Sequence, residues 1–159
     1  MPSVYVETSI ISYLAARPSR DLIVAARQQL THAWWRERRP LFDLYVSQVV
    51  LDEILAGDPD AAERRAALAS GISLLDITPD VADLAAILIQ RVPLPITAGA
   101  DAAHIAAAAY HGIDFLLTWN STHIANAELR PRVERVYREN GYPAPVLCTP
   151  DELMGGEDE

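Results

Sequence analysis

Thr97–Asn120 reads TAGADAAHIAAAAYHGIDFLLTWN. After Gly99 and Ala100, Asp101 opens an alanine-rich run to Tyr110, a composition of high helix propensity. Gly112 supplies a helix stop, because glycine accepts the left-handed backbone that ends many helices. Phe115-Leu116-Leu117-Thr118-Trp119 then reads as a short apolar strand of the fully buried kind, ended by Asn120. A helix over Asp101–His111 advances ~15 Å at ~1.5 Å per residue. A strand over Asp114–Trp119 returns ~16 Å at ~3.3 Å per residue. The lengths match, so Asp101 and Asn120 are expected at one edge of the sheet. That edge is the carboxyl end of the strand, where open α/β folds place their sites.

Upstream, Ser3-Val4-Tyr5-Val6-Glu7 reads as a first strand, apolar except at its last residue. Thr8 and Ser9 are good N-cap residues for a helix carrying Ile10, Ile11, Tyr13 and Leu14. Asp21 opens a long helix from Leu22 to Arg38, which Pro40 ends. Leu44-Tyr45-Val46-Ser47 is a second strand, followed by helices over Gln48–Ala56 and Asp60–Leu68. Ile72-Ser73-Leu74-Leu75 is a third, and Pro79 suits the first turn of the next helix. Downstream, a helix over Leu129–Asn140 leads to a last strand, Pro145–Cys148, and Thr149–Leu153 reads as a capped final turn. Strands alternating with helices predict a parallel sheet covered on both faces. No repeat or linker interrupts the pattern, so residues 1–159 read as a single domain, with Gly155–Glu159 a frayed acidic tail.

At 159 residues, half of them hydrophobic, the chain can bury a sizeable core. No run reaches the ~18 apolar residues of a membrane span. Met1-Pro2-Ser3 passes straight into a strand pattern, so no signal peptide is expected. Cys148 is the single cysteine; it excludes an intrachain disulfide and suits a reducing, cytoplasmic setting. Near the last strand it reads as a small core residue. The net charge is −9 and every basic residue is Arg. An acidic chain is a poor sequence-independent binder of nucleic acid, which leaves open a nucleic-acid substrate at a locally basic face. Arg36, Arg38 and Arg39 form one basic cluster, and Arg130, Arg132, Arg135 and Arg138 another. They read as solvated helix faces with acid partners, the sharper alternative being a phosphate-contacting rim. The long Leu22–Arg38 helix with Trp34-Trp35 offers more apolar surface than one sheet face needs, which predicts a homodimer.

Three acids stand where a bland core would not place them. Glu7 ends an apolar strand, Asp101 opens the alanine-rich helix, and Glu53 shares a helix face with Val49 and Val50. An acid on an apolar face is costly unless paired or metal-bound. Singly, each has a plain explanation: Asp101 as an N-cap, Glu53 as a rim residue or an Arg partner, Glu7 as a cap of the following helix. Together, at one sheet edge, their mutual repulsion calls for a cation. Few, hard oxygen ligands suit Mg²⁺ or Mn²⁺ with waters retained, and such a site can activate water against a phosphodiester. His104, one turn along from Asp101, reads as a supporting partner or packed residue rather than a ligand. Ser9 reads as a cap or a hydroxyl near the cation, since no G-x-S-x-G elbow surrounds it. Neither G-x-G-x-x-G nor a Walker A sequence is present.

These residues resemble the PIN-domain family, and VapC-type toxins within it. The resemblance rests on Val4-Tyr5-Val6-Glu7-Thr8-Ser9, Val50-Leu51-Asp52-Glu53-Ile54, Asp101-Ala102-Ala103-His104-Ile105-Ala106-Ala107-Ala108 and Leu116-Leu117-Thr118-Trp119-Asn120, in order along the whole chain. It implies a three-layer α/β/α sandwich with a central parallel sheet. It further implies a metal-dependent endoribonuclease, the toxin of a type II toxin–antitoxin pair, blocked by a cognate antitoxin protein. Carried over, the catalytic and metal-binding acids would be Glu7, Glu53 and Asp101, with Asn120 at a fourth position and Ser9 as the small polar residue after the first acid. Two positions depart from the family pattern, which usually has Asp in place of Glu7 and commonly Asp in place of Asn120. Glu7 keeps the charge on a longer arm, and Asn120 keeps an oxygen without the charge. These departures favour one competing reading, a catalytically weak PIN-like module that binds RNA or a protein. A phosphatase of another α/β fold is disfavoured, since Glu7 does not begin the Asp-x-Asp pattern of a phosphoaspartate mechanism.

Overall fold

A computed structural model of the chain describes residues 1–95 and 98–156. Thr97, which opens the stretch quoted above, and the last three residues of the expected frayed tail, 157–159, lie outside the described residues. The strands are β1 (Ser3–Val6), β2 (Asp43–Ser47), β3 (Ser73–Leu75), β4 (Phe115–Leu117) and β5 (Val146–Cys148). The helices are α1 (Thr8–Ala15), α2 (Leu22–Glu37), α3 (Gln48–Ile54), α4 (Pro59–Ala69), α5 (Pro79–Arg91), α6 (Gly99–Tyr110) and α7 (Arg130–Glu139).

All strand pairs are parallel, in the order β3-β2-β1-β4-β5. β1 lies at the centre, with Tyr5 beside Tyr45 of β2 and Leu116 of β4. Successive strand residues point to opposite faces. Val4, Tyr5 and Val6 are all fully buried, so helices must cover both sides of the sheet, the three-layer α/β/α arrangement expected from the sequence. The chain moves from β1 to β2 and β3 in one direction, then crosses to β4 and β5 on the other side. The switch point lies between β1 and β4, where the outgoing loops diverge and leave a crevice at the carboxyl ends of the strands. The outer strands β3 and β5 have three residues each.

The helix-and-return reading of the central stretch matches α6 and β4, with shifted boundaries. α6 begins at Gly99 with Ala98 as its N-cap, so Asp101 stands in the first turn rather than at the cap. β4 ends at Leu117, and Thr118 and Trp119 already belong to the crevice. At the first helix the cap is Glu7, whose carboxylate accepts the Ser9 N–H, rather than Thr8 or Ser9. A 3-10 turn at Arg39–Leu41, holding Pro40, was not foreseen. Ala102 and Ile105–Ala109 are fully buried, and their small side chains let α6 pack closely against α5 as well as β4. Of the tryptophan pair, Trp34 is a core residue whose Nε1 donates to the Leu153 carbonyl, while Trp35 is half-buried under the Arg39 guanidinium.

Gly112 ends α6 in the left-handed region, at φ +67°. Ile113 N–H donates to the Ala108 carbonyl and Gly112 N–H to that of Ala109, the paired bonds of a Schellman motif. This stop aims the chain back along the helix into β4. A methyl group at Gly112 would meet nothing within 4 Å, so Gly112→Ala is expected to cost only backbone strain, about 1 kcal/mol. Urea unfolding with an unchanged slope should read that loss; an unaffected midpoint would contradict the left-handed stop.

Cys148 is buried in β5, its thiol directed at the Leu116 carbonyl. Burial, reinforced by Glu152, pushes this thiol from its ordinary 9.0 up to about 12. Because the folded value is the higher one, the neutral thiol favours folding below the unfolded pKa, and that contribution is lost as pH rises toward 12. At pH 9 a thiol reagent should therefore label the unfolded chain and spare the native one. Fast stoichiometric labelling of native protein would contradict the burial.

Candidate functional site

Glu7 follows β1 directly and is 5% exposed. A charge so buried must be surrounded by donors, and three are in place. The Ser9 N–H donates to Oε2 at 3.0 Å, while the Ser9 and Thr118 hydroxyls each donate to Oε1 at 2.5 Å. The N-terminus of α1 adds a favourable dipole. The Ser9 hydroxyl accepts from Trp119 N–H at 2.8 Å, and Glu7 N–H donates to the Leu117 carbonyl. The first acid thus binds the end of β1 to the segment leaving β4.

Glu53 rises from α3, whose start at Gln48 directly follows β2. Its side chain is about one-third exposed, whereas neighbouring Asp52 is exposed and accepts from Gln48. Glu53 Oε1 accepts from the Thr8 hydroxyl at 2.7 Å and lies 2.5 Å from His104 Nε2. Among the described residues, these hydrogen bonds engage Oε1 alone. Burial by itself raises the Glu53 carboxyl, but the hydrogen bonds from His104 and Thr8 and the attraction of His104 outweigh it, and its pKa is lowered. His104 is fully buried; its Nδ1 lies 2.7 Å from the Tyr5 hydroxyl, which lies 2.7 Å from Ser47 Oγ. Burial pushes the Tyr5 phenol well above its ordinary range, so it remains a neutral hydroxyl.

The structure brings Glu7, Glu53 and His104 together: one ligand atom from each lies within 4.8 Å of the others. Asp101, one turn before His104 on α6, does not join that group. Its oxygens are engaged elsewhere, Oδ1 by Asn120 Nδ2 at 3.0 Å and Oδ2 by His123 Nδ1 at 2.8 Å. Asn120 N–H in turn donates to Thr118 Oγ1 at 2.9 Å, so Asp101 reaches Glu7 through Asn120 and Thr118. The Asn120 oxygen accepts the backbone N–H groups of Thr122 and His123, leaving its amide nitrogen to face Asp101. Ser9, expected as a cap or a hydroxyl near the cation, holds Glu7. The donor set of two carboxylates and an imidazole, with Glu53 Oε2 free of hydrogen bonds among the described residues, fits a divalent cation.

Sequence reading missed Tyr5, Ser47, Thr118 and His123. Thr118 carried a signal, a hydroxyl inside an otherwise apolar strand immediately before Asn120. His123 carried none, since its distance from Asp101 along the chain matches no helix or strand period. The acid partners expected for the basic cluster of α7 are found for two of its four arginines among the described residues: Arg138 with Glu134 at 3.5 Å, and Arg130 with Glu152, outside the helix, at 3.1 Å.

The PIN domain family model matches residues 4–129, a span that contains the whole crevice. The chain belongs to the PIN-domain family. Nearly all of its central strand, the three acids and Asn120 lie inside the matched span, while α7 and the last strand, β5, lie beyond it. Among solved structures, this PIN domain is similar to Mycobacterium tuberculosis VapC20, a sarcin–ricin loop cleaving toxin. The two are 20% identical over 87% of this chain and 95% of that one, with a TM-score of 0.59. It is also similar to VapBC2 from Rickettsia felis, solved bound to a DNA fragment from their promoter, at 13% identity over 92% of this chain and 98% of that one, with a TM-score of 0.57. At these identities the likeness establishes the fold. No curated protein sequence matches the chain.

Thr118 is fully buried and serves both halves of this PIN-domain site, as donor to Glu7 and acceptor for Asn120. Thr118→Val keeps the shape, takes one of three donors from Glu7 and leaves the Asn120 N–H without its acceptor, which should destabilise the protein by about 2 kcal/mol. Thr118→Ser keeps the hydroxyl and should recover most of that loss in chemical denaturation. Equal stability of the valine variant would rule out the link.

Proposed function

We propose that this PIN domain is a metal-dependent endoribonuclease, the toxin of a type II toxin–antitoxin pair, that hydrolyses RNA phosphodiesters. The observation that carries the reading is the meeting of Glu7 and Glu53 at the switch point of a parallel sheet, with Asp101 tied into the same hydrogen-bond network. Two buried or half-buried carboxylates that close together repel unless a cation neutralises them. The structural likeness to VapC20, a toxin that cleaves the sarcin–ricin loop, supports RNA as the substrate class. The likeness to VapBC2 supports an antitoxin partner.

In this reading Glu7 and Glu53 hold the divalent ion, Mg²⁺ or Mn²⁺. When bound, that ion supplies a water of lowered pKa and neutralises charge gathering on the phosphodiester. Glu7 accepts hydrogen bonds from Ser9 and Thr118, and Glu53 is kept ionised by those from Thr8 and His104. Asp101 is the third acid of the site, its carboxylate oriented by Asn120 and His123. The functional unit is a single domain acting as a homodimer in the cytoplasm, with Trp35 and the exposed Leu22 and Ile23 of α2 as apolar surface available to a second copy.

Purified protein incubated with structured RNA and Mn²⁺ or Mg²⁺ should cut the RNA, and chelation should stop the reaction. Glu53→Gln, on a partly exposed side chain, should fold normally and lower cleavage about 100-fold or more. A folded protein that binds Mn²⁺ and RNA but cuts nothing would replace this reading with the binding-module alternative, which the Asn120 and Glu7 departures favour. Light scattering should report a dimer at high micromolar concentration.

A further inference from the structure

The fold gathers a group of arginines that stand apart in the sequence. A cleft of about 230 Å³ between α1 and α4 is lined by Arg17, Arg64 and Arg65, with Ser12 and three alanines. No carboxylate lines it; Asp60 and Glu63 of α4 are exposed outside it. We propose that this cleft binds backbone phosphates of the RNA beside the one that is cut. The inference rests on the RNA reading above and names where the strand is held.

The charge in the cleft calls for an anion. Among the described residues, the arginines paired with carboxylates are Arg36, Arg91, Arg130 and Arg138; the three of the cleft are not among them. Like charges gathered in one place repel, so the cluster is unfavourable until an anion lies between its members. The chain as a whole carries −9, and a polyanion approaching its acidic crevice needs a local cationic hold.

Helix capping explains only part of the cluster. Arg64 Nε donates to the Ala15 carbonyl at 3.2 Å, at the end of α1. Arg65 donates to the Ile54 and Ala56 carbonyls at 2.8 and 2.6 Å, at the end of α3. A guanidinium carries five N–H donors, so these bonds orient two forks without exhausting them. Arg64 keeps both terminal nitrogens, and Arg65 keeps Nη1, free of hydrogen bonds among the described residues. Arg17 caps nothing: it is exposed, and its guanidinium makes no hydrogen bond among the described residues.

The cleft also continues from the acidic site. Thr8 holds Glu53, and Ser12 lies four residues further along α1, on the same face. That step is about one turn, ~6 Å. On the opposite wall Arg65 grips the carbonyl of Ile54, the residue after Glu53. A strand with one phosphate at the acids therefore runs directly into the cleft. Guanidinium forks match the paired oxygens of a phosphate, and such contacts set register without reading bases. An acidic protein segment would meet the same charge, but continuity with Glu53 favours the substrate strand.

Fluorescence anisotropy of a labelled structured RNA tests the assignment, with the full chain in chelator so that nothing is cut. Arg17→Gln, which breaks no hydrogen bond of the described fold, should weaken binding roughly threefold. It should also flatten the slope of log K against log salt by ~0.7, the value for one phosphate of a single strand. Arg17→Lys should restore the slope. Arg17→Gln with Arg64→Gln should weaken binding roughly tenfold. Arg132→Gln with Arg135→Gln on α7 removes as much charge and should leave the slope unchanged. With Mn²⁺ added, Arg17→Gln should raise KM for cleavage and spare kcat. Parent-like affinity and slope in the cleft variants overturns the inference, as does an equal loss from the α7 pair. Cleft variants that hold RNA normally but lose a polyglutamate peptide also overturn it, and assign the cleft to a protein partner. If the cleft variants lose RNA as expected while the parent cuts nothing, the nuclease reading falls and the cleft assignment stands. A parent that binds no RNA overturns both.

Discussion

The hydrogen bonds that converge on the Glu7 carboxylate hold this structure's working end together. They come from both sides of the switch point: Ser9 on α1 and Thr118 beyond β4. Water would otherwise solvate that charge, and the fold must replace it with donors of good geometry. Doing so fastens the exits of two neighbouring strands at the place where their chains part. Loops that diverge from a switch point are free to move apart, and here a buried anion prevents it.

Around that anion the polar groups form two branches. One runs through Thr118 and Asn120 to Asp101 and His123. The other runs from Glu53 through His104 and Tyr5 to Ser47. Ser47 is the last residue of β2, and Tyr5 lies in the middle of β1, so the second branch passes through the core of the sheet. The first stays on the loops above it. The geometry of Glu53 is therefore set by residues fully buried in the sheet, whereas Asp101 depends on a turn after β4.

Much of the architecture was legible because it follows from local rules. The alanine run and Gly112 specify a helix and its stop, and the apolar strands specify a sheet buried on both faces. Glu7 was legible because a charged residue ends an apolar strand. Asp101 was grouped with the acids and His104 with their support, but which of the two meets Glu53 was not legible: the spacing Asp101-x-x-His104 places both on one face, and only the helix's position along its axis brings His104 to Glu53. Asn120 was read for its oxygen, yet that oxygen caps the following turn and the nitrogen faces Asp101. Such choices depend on side-chain rotation and on partners far along the chain, which no periodicity encodes.

The sheet's outer strands have a bearing on how this molecule can meet others. β3 and β5 present only three residues each, with Leu74 and Val146 exposed on them. A strand added at either margin would gain few backbone hydrogen bonds, and short edges of this kind discourage open-ended growth of a sheet. Partners have more to gain from the helical layers, where side chains rather than peptide groups select what binds. Recognition on this scaffold is thus a matter of surface residues that can change one at a time, while the sheet beneath keeps the crevice in register.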